Sequence, residues 1–105
     1  MVAEVTENSF RREILEPGLP VLVEFYAPWC PKCAIMADVV SEFAEENDGK
    51  VKVCRINIDR SPGLTKRFGI GEVPTFLLFR RGKILGAMTG KVGKERLSQL
   101  VNGRF

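Results

Sequence analysis

Two thiols three residues apart, Cys30 and Cys33, are the groups in this chain best suited to covalent chemistry. At that spacing they can close a disulfide within one helical turn. The apolar run Val21-Leu22-Val23-Glu24-Phe25-Tyr26 precedes them and reads as a strand covered on both faces. From Cys30 onward the period changes: Cys33, Met36, Ala37, Val40, Phe43 and Ala44 recur at three and four residues, one face of a long helix. The dithiol therefore stands where a strand passes into a helix. Unpaired backbone N–H groups and the macrodipole at a helix N-terminus favour an anion. Cys30 is accordingly expected to act as a thiolate nucleophile. Cys33, lying deeper, is expected to attack the mixed disulfide that Cys30 forms. An isolated pair at this spacing is also half of a zinc site. Histidine is absent and Cys54 is the one other cysteine, so a closed four-ligand site falls short and no metal is expected. The same absence removes imidazole bases and Ser/His or Cys/His nucleophile pairs.

The elements that must position these thiols fit a single domain over residues 1–105. An apolar share of 45 % and a charged share of 28 % are ordinary for a globular chain and exclude disorder. No apolar run approaches the ~20 residues of a membrane span, so no membrane partner is expected. The polar, acidic N-terminus has no basic-then-apolar signal pattern, and three cysteines are not a secreted disulfide framework. Both features lead to a cytoplasmic expectation. Net charge is +3, but residues 1–50 carry 4 basic and 10 acidic groups and residues 51–105 carry 12 and 3. The basic residues are scattered and not interleaved with aromatics, so no nucleic-acid partner is expected.

The periodicity predicts a short strand at Val2 to Val5, then a helix carrying Phe10, Ile14 and Leu15, with Thr6 and Asn8 as candidate N-caps. Pro17-Gly18 and Pro20 end it. After the long helix, closed by Asn47-Asp48-Gly49, Val51, Val53, Ile56 and Ile58 read as a strand. Ser61-Pro62 is expected to start a short helix, serine capping and proline in the first turn. Thr75 to Phe79 and Lys83 to Met88 form a hairpin about Arg81-Gly82, and a last helix runs from near Gly93 to Val101, with Leu97, Leu100 and Val101 facing inward. This order is an α/β layer fold ending in antiparallel strands. Glu24 lies inside the apolar strand, where a charge is costly unless strand alternation turns it to solvent.

Phe25-Tyr26-Ala27-Pro28-Trp29-Cys30-Pro31-Lys32-Cys33 resembles the active-site segment of the thioredoxin family, and the resemblance extends over essentially the whole chain through Asn57-Ile58-Asp59, Val73-Pro74-Thr75, Phe79, Gly82 and Gly90. It implies a thioredoxin fold, a five-stranded mixed sheet flanked by four helices. It also implies a thiol–disulfide oxidoreductase that reduces protein disulfides through Cys30 and Cys33. By the same resemblance Glu24 is a buried carboxylate beneath the dithiol, able to take the proton from Cys33 directly or through one water. Arg55 occupies the place of a basic residue paired with that carboxylate, or is a surface strand arginine. Trp29 stands on the rim of the site. Pro74 is the cis-proline facing the dithiol, and Val73 pairs with an extended substrate; Gly90 belongs with this substrate-binding group. Glutamate at position 24 and the segment following it are also similar to protein disulfide isomerase domains. No bound cofactor is implied. The oxidised pair is recycled by a thioredoxin-reductase-type donor or another dithiol, the partners are disulfide-containing proteins, and the monomer is the family's default.

Two positions depart from the family pattern. Between the cysteines stand Pro31 and Lys32, where thioredoxins have Gly-Pro and isomerase domains Gly-His. Pro31 suits the first helical turn but has no N–H to give the sulfur. Lys32 puts a cation beside the thiolate, which raises the reduction potential unless the lysine is screened in water. Asp38 stands where thioredoxins place a helix-kinking proline, so a straighter helix is expected. Two other readings compete. One is glutaredoxin-like, glutathione-dependent exchange, against which Trp29 and Glu24 count. The other is a redox-inert binding module using the Val73-Pro74 face, against which the intact Cys30/Cys33 pair counts. Cys54 is expected to pack as a small apolar residue.

Overall fold

A computed structural model describes residues 1–103. Five strands form one mixed sheet: β1 (Val2–Val5), β2 (Val21–Tyr26), β3 (Lys52–Asn57), β4 (Thr75–Arg80) and β5 (Lys83–Thr89), in the order β1-β3-β2-β4-β5. β1, β3 and β2 run parallel, and β4 and β5 are antiparallel additions. Four helical segments cover the sheet: a π-turn at Arg11–Leu15, α1 (Pro31–Glu46), α2 (Pro62–Arg67) and α3 (Lys94–Val101). This is the α/β thioredoxin fold.

β2 lies at the centre, with its first five residues buried, because both faces of the sheet are covered there. Leu22, Phe76 and Leu78 face α1 and α3, where they meet Met36, Val40, Phe43, Leu97 and Leu100. Val21, Val23, Phe25, Leu77 and Phe79 face the other way, onto Phe10, Ile14 and Leu64. Side-chain alternation along β2 thus feeds two cores, which is why the strand reads as continuously apolar. Cys54 is fully buried in the second core, and burial pushes its thiol up to about 11. The hairpin turns through Arg81 (φ 51°) and Gly82 (φ 80°), the left-handed pair that a tight two-residue loop requires. α1 runs unbroken from Pro31 to Glu46, with Asp38 in its interior. In the last helix Leu97 and Leu100 are fully buried, while Val101 is half-buried against the first core.

Two expected caps are replaced. Neither Thr6 nor Asn8 caps the first helical segment, which begins at Arg11 after Phe10. Thr6 is instead tied to Ser9 in a turn: its N–H donates to Ser9 Oγ at 3.1 Å, and the Ser9 N–H donates to the Thr6 carbonyl. Ser61 precedes α2 but makes no side-chain cap, and its buried Oγ has no partner among the described residues. The α2 terminus is capped from a distance by Glu7, whose Oε2 accepts from the N–H of Gly63 at 2.5 Å and of Leu64 at 3.3 Å. A Cβ at position 63 would stand 2.6 Å from that oxygen, so glycine makes room for the carboxylate. Glu7→Ala is expected to cost about 1 kcal/mol in chemical denaturation, in line with loss of an N-cap. An unchanged midpoint would show the contact to be energetically silent.

Candidate active site

The C-terminal end of β2 delivers the chain directly into α1, and the reactive pair sits at that junction. Cys30 is the N-cap of α1, with extended backbone (φ −90°, ψ 112°), and its Sγ accepts the Cys33 N–H at 3.1 Å. This is the N-terminal donor that a thiolate needs, supplied by Cys33 because Pro31 has none. Pro31 occupies the first helical position, where its missing N–H costs nothing. Both cysteines are free thiols and both are buried, Cys30 at 5 % exposure and Cys33 at 3 %. Burial pushes the Cys33 thiol well up, with its hydrogen bond to the Cys30 sulfur next in weight, and Glu24 adds its charge in the same direction. Cys33 therefore needs help to lose its proton.

Val73-Pro74, 43 residues away in sequence from Cys30, closes the other side. The peptide bond between them is cis. The Cys30 thiol donates to the Val73 carbonyl at 3.7 Å. Among the described residues the Val73 N–H meets no acceptor, while the Pro74 carbonyl accepts the Gly90 N–H at 2.8 Å. Gly90 adopts φ 87° and so ties the proline loop to the end of β5. An open groove of about 350 Å³ runs beside the thiols, lined by Trp29, Cys30, Pro31, Lys32 and Ile58 and by the segment Ile70 to Val73. Trp29 stands on its rim, 65 % exposed, its Nε1 donating to Asp59 Oδ2 at 2.9 Å. Lys32 is exposed on the same rim.

Glu24 is turned inward rather than to solvent, at 1 % exposure, on the α1 face of the sheet. The parallel pairing sets Arg55 beside it, and Arg55 Nε lies 3.4 Å from Glu24 Oε1. Neither carboxylate oxygen has an aligned hydrogen bond, so the contact is an ion pair only. Burial raises the Glu24 pKa to about 7, against the opposing pull of Arg55. Arg55 is thus the paired strand residue and not a free surface arginine.

The structure brings together Cys30, Cys33, Trp29, Pro31, Lys32, Val73 and Pro74, with Gly90 behind the proline and the Glu24–Arg55 pair deeper in the sheet. Sequence reasoning missed Ile70 and Glu72 in the groove and Asp59 as the anchor of Trp29. It also missed Tyr26, whose ring packs on Arg55, and Glu4, which accepts from the Tyr26 hydroxyl; both contacts depend on strand register.

A dithiol at a helix N-terminus, one sulfur reachable and the other behind it, exchanges thiols for disulfides, and such proteins are thiol–disulfide oxidoreductases. A family model described as thioredoxin matches residues 1–103. The chain is 41 % identical to Thioredoxin 1 of Nostoc sp. over 97 residues, covering 92 % of this chain and 91 % of that protein. It is 40 % identical to a thioredoxin of Pyropia yezoensis (96 % and 94 % covered). It is 36 % identical to one of Rickettsia bellii over the full length of both. The chain belongs to the thioredoxin family, and its activity is that of a protein-disulfide reductase. No helix among the described residues is long and apolar enough to cross a membrane.

Proposed function

We propose that Cys30 is the attacking thiolate, Cys33 the resolving thiol and Glu24 its base in the reduction of protein disulfides. Cys30 Sγ bonds to one substrate sulfur, the substrate S–S bond breaks, and the departing sulfur leaves as a thiolate that water protonates. Cys33 then gives its proton to the Glu24 carboxylate, directly or through one water, and attacks Cys30 Sγ. The Cys30–Cys33 bond forms, the mixed disulfide breaks, and the second substrate thiolate departs. Two electrons have passed from the dithiol to the substrate. The observation that carries this reading is the asymmetry of the pair: Cys30 takes an N-terminal helix N–H and faces the groove, whereas Cys33 is held protonated by burial.

The free N–H of Val73 and the apolar groove support docking of an extended substrate segment beside Cys30 through β-type hydrogen bonds, with Trp29 packing against it and Gly90 holding the proline loop. The exchange itself requires no bound cofactor. A reductase of the thioredoxin-reductase kind, or another dithiol, returns the electrons. A monomer in a reducing compartment such as the cytoplasm fits this role.

The test is the redox equilibrium of Cys30 and Cys33 in defined dithiol buffers, read by thiol trapping and mass. One reversible two-electron transition is expected, on the order of −230 to −260 mV, the reading under test being that the Lys32 cation raises it above thioredoxin even from its exposed place on the rim. Lys32→Ala should move it downward; no movement would reject that mechanism. A value near −180 mV, about where protein disulfide isomerase lies, would overturn the reductant role in favour of disulfide shuffling.

A further inference from the structure

One row across the sheet carries three charged residues. Glu4 on β1 is in register with Arg55 on β3, and Arg55 is in register with Glu24 on β2. Tyr26, two residues beyond Glu24 on the same face of β2, completes the group. The Arg55 guanidinium carbon lies 3.7 Å from the centroid of the Tyr26 ring. The Tyr26 hydroxyl donates to Glu4 Oε2 at 2.7 Å. Arg55 is thus held on one side by an aromatic face, and that ring is fixed at its far end by a carboxylate. The guanidinium needs this support. Its contact with Glu24 is an unaligned 3.4 Å approach, and its side chain is 29 % exposed, at a crevice of about 110 Å³ that Val2, Glu4, Ala37, Val40 and Ser41 also line. Among the described residues Arg55 makes no side-chain hydrogen bond, so the Tyr26 ring is its anchor beside the Glu24 approach.

We propose that Tyr26, tied down by Glu4, is a positioning residue that keeps the Arg55 guanidinium against the Glu24 carboxyl. The consequence follows from which groups face Glu24. They are Arg55 from β3, Glu4 from β1, Cys33 from α1 and, on its own strand, Tyr26; β4 contributes the apolar Phe76. Arg55 is the one cation among them. Its retreat would leave burial and the Glu4 charge unopposed, and both favour the protonated carboxyl. The Tyr26 phenol is itself pushed up, by burial first and then by the Glu4 bond, so it remains a donor throughout the working pH range. The inference extends the assignment of Glu24 as the base for Cys33, and its test separates the two.

The Glu24 carboxyl would be titrated by carbon-detected NMR in the full chain, with Cys30 and Cys33 joined so that neither thiol titrates. Tyr26→Leu removes ring and tether without changing any charge. It is expected to raise the Glu24 midpoint by about half a pH unit, the worth of a cation–π contact. Tyr26→Phe keeps the ring and should move it less, in the same direction. In an Arg55→Ala background Tyr26→Leu should add nothing, because the residue it positions is gone. An unmoved midpoint in Tyr26→Leu, or a full shift persisting without Arg55, would overturn the proposal. The pH profile of mixed-disulfide resolution is then read on the same variants. If the titration shifts while that profile stays put, the positioning role stands and the assignment of Glu24 as base fails.

Discussion

Cys33→Ser is expected to turn the protein from a catalyst into a trap. Cys30 keeps its place at the α1 N-cap, and the backbone N–H at position 33 that its sulfur accepts remains. Attack on a substrate disulfide therefore proceeds, and one equivalent of mixed disulfide accumulates. Release then falls to an external thiol. Well-oriented intramolecular groups have effective concentrations far above molar. Even at ~1 M, a millimolar external thiol would be slower by roughly three orders of magnitude. Steady-state reduction of a disulfide protein should fall by about that factor or more. Intact mass should show a single adduct, and peptide mapping should place it on Cys30. Cys54 provides the internal control, since it is fully buried and its thiol is held protonated by burial. An adduct on Cys54, or sustained turnover without any adduct, would remove Cys33 from the resolving role.

The same geometry explains how much of the site the amino-acid sequence carries. The placement of Cys30 and Cys33 was legible because every determinant is local: an apolar run, a change of period, and proline at the first helical position. Trp29 on the rim follows from its adjacency to the thiol. The facing Val73-Pro74 came through resemblance alone, since no pattern in the sequence joins it to Cys30. The inward turn of Glu24 was ambiguous for a physical reason. Alternation on a strand buried on both faces gives each residue a core, so parity does not say which side chains meet water. Arg55 was ambiguous for the same reason until register set it beside Glu24. The capping error at α2 has the opposite cause. Ser61 satisfies a local rule, but the helix terminus is open to the N-terminal segment, and a carboxylate 56 residues distant from Gly63 takes the donors first. A charged acceptor at a helix N-terminus gains from the dipole as well as the hydrogen bonds. Tyr26 and Glu4 could have been found only by fixing the β1–β3 register, and the short strand Val2–Val5 does not declare one.

Glu24→Gln is expected to stabilise the protein at alkaline pH while slowing its chemistry. Burial holds the folded-state carboxyl at about 7, against 4.5 for an ordinary glutamate. Between those values the native state binds more protons than the unfolded chain, so stability falls as pH rises. The contribution is full below pH 4.5 and is lost as pH climbs through 7. Over that window the wild type should lose roughly 3 kcal/mol relative to Glu24→Gln, whose amide does not titrate. Any fixed cost of placing an amide beside Arg55 shifts both ends of the comparison equally and leaves the slope intact. Urea denaturation of the two proteins from pH 4 to 9 would measure it. A stability difference independent of pH would mean that Glu24 titrates in the fold as it does in the unfolded chain, with the Arg55 contact cancelling the effect of burial. The rate changes in the other direction. An amide accepts no proton from Cys33, so resolution of the mixed disulfide at neutral pH should slow by about 10²-fold, within the usual range of a lost general base, and its dependence on a group near 7 should vanish. On the proposed reading, the carboxylate that weakens the fold at neutral pH is the base for the buried Cys33 thiol: the chain has no histidine to serve instead, and Arg55, the cation facing Glu24, already carries its proton.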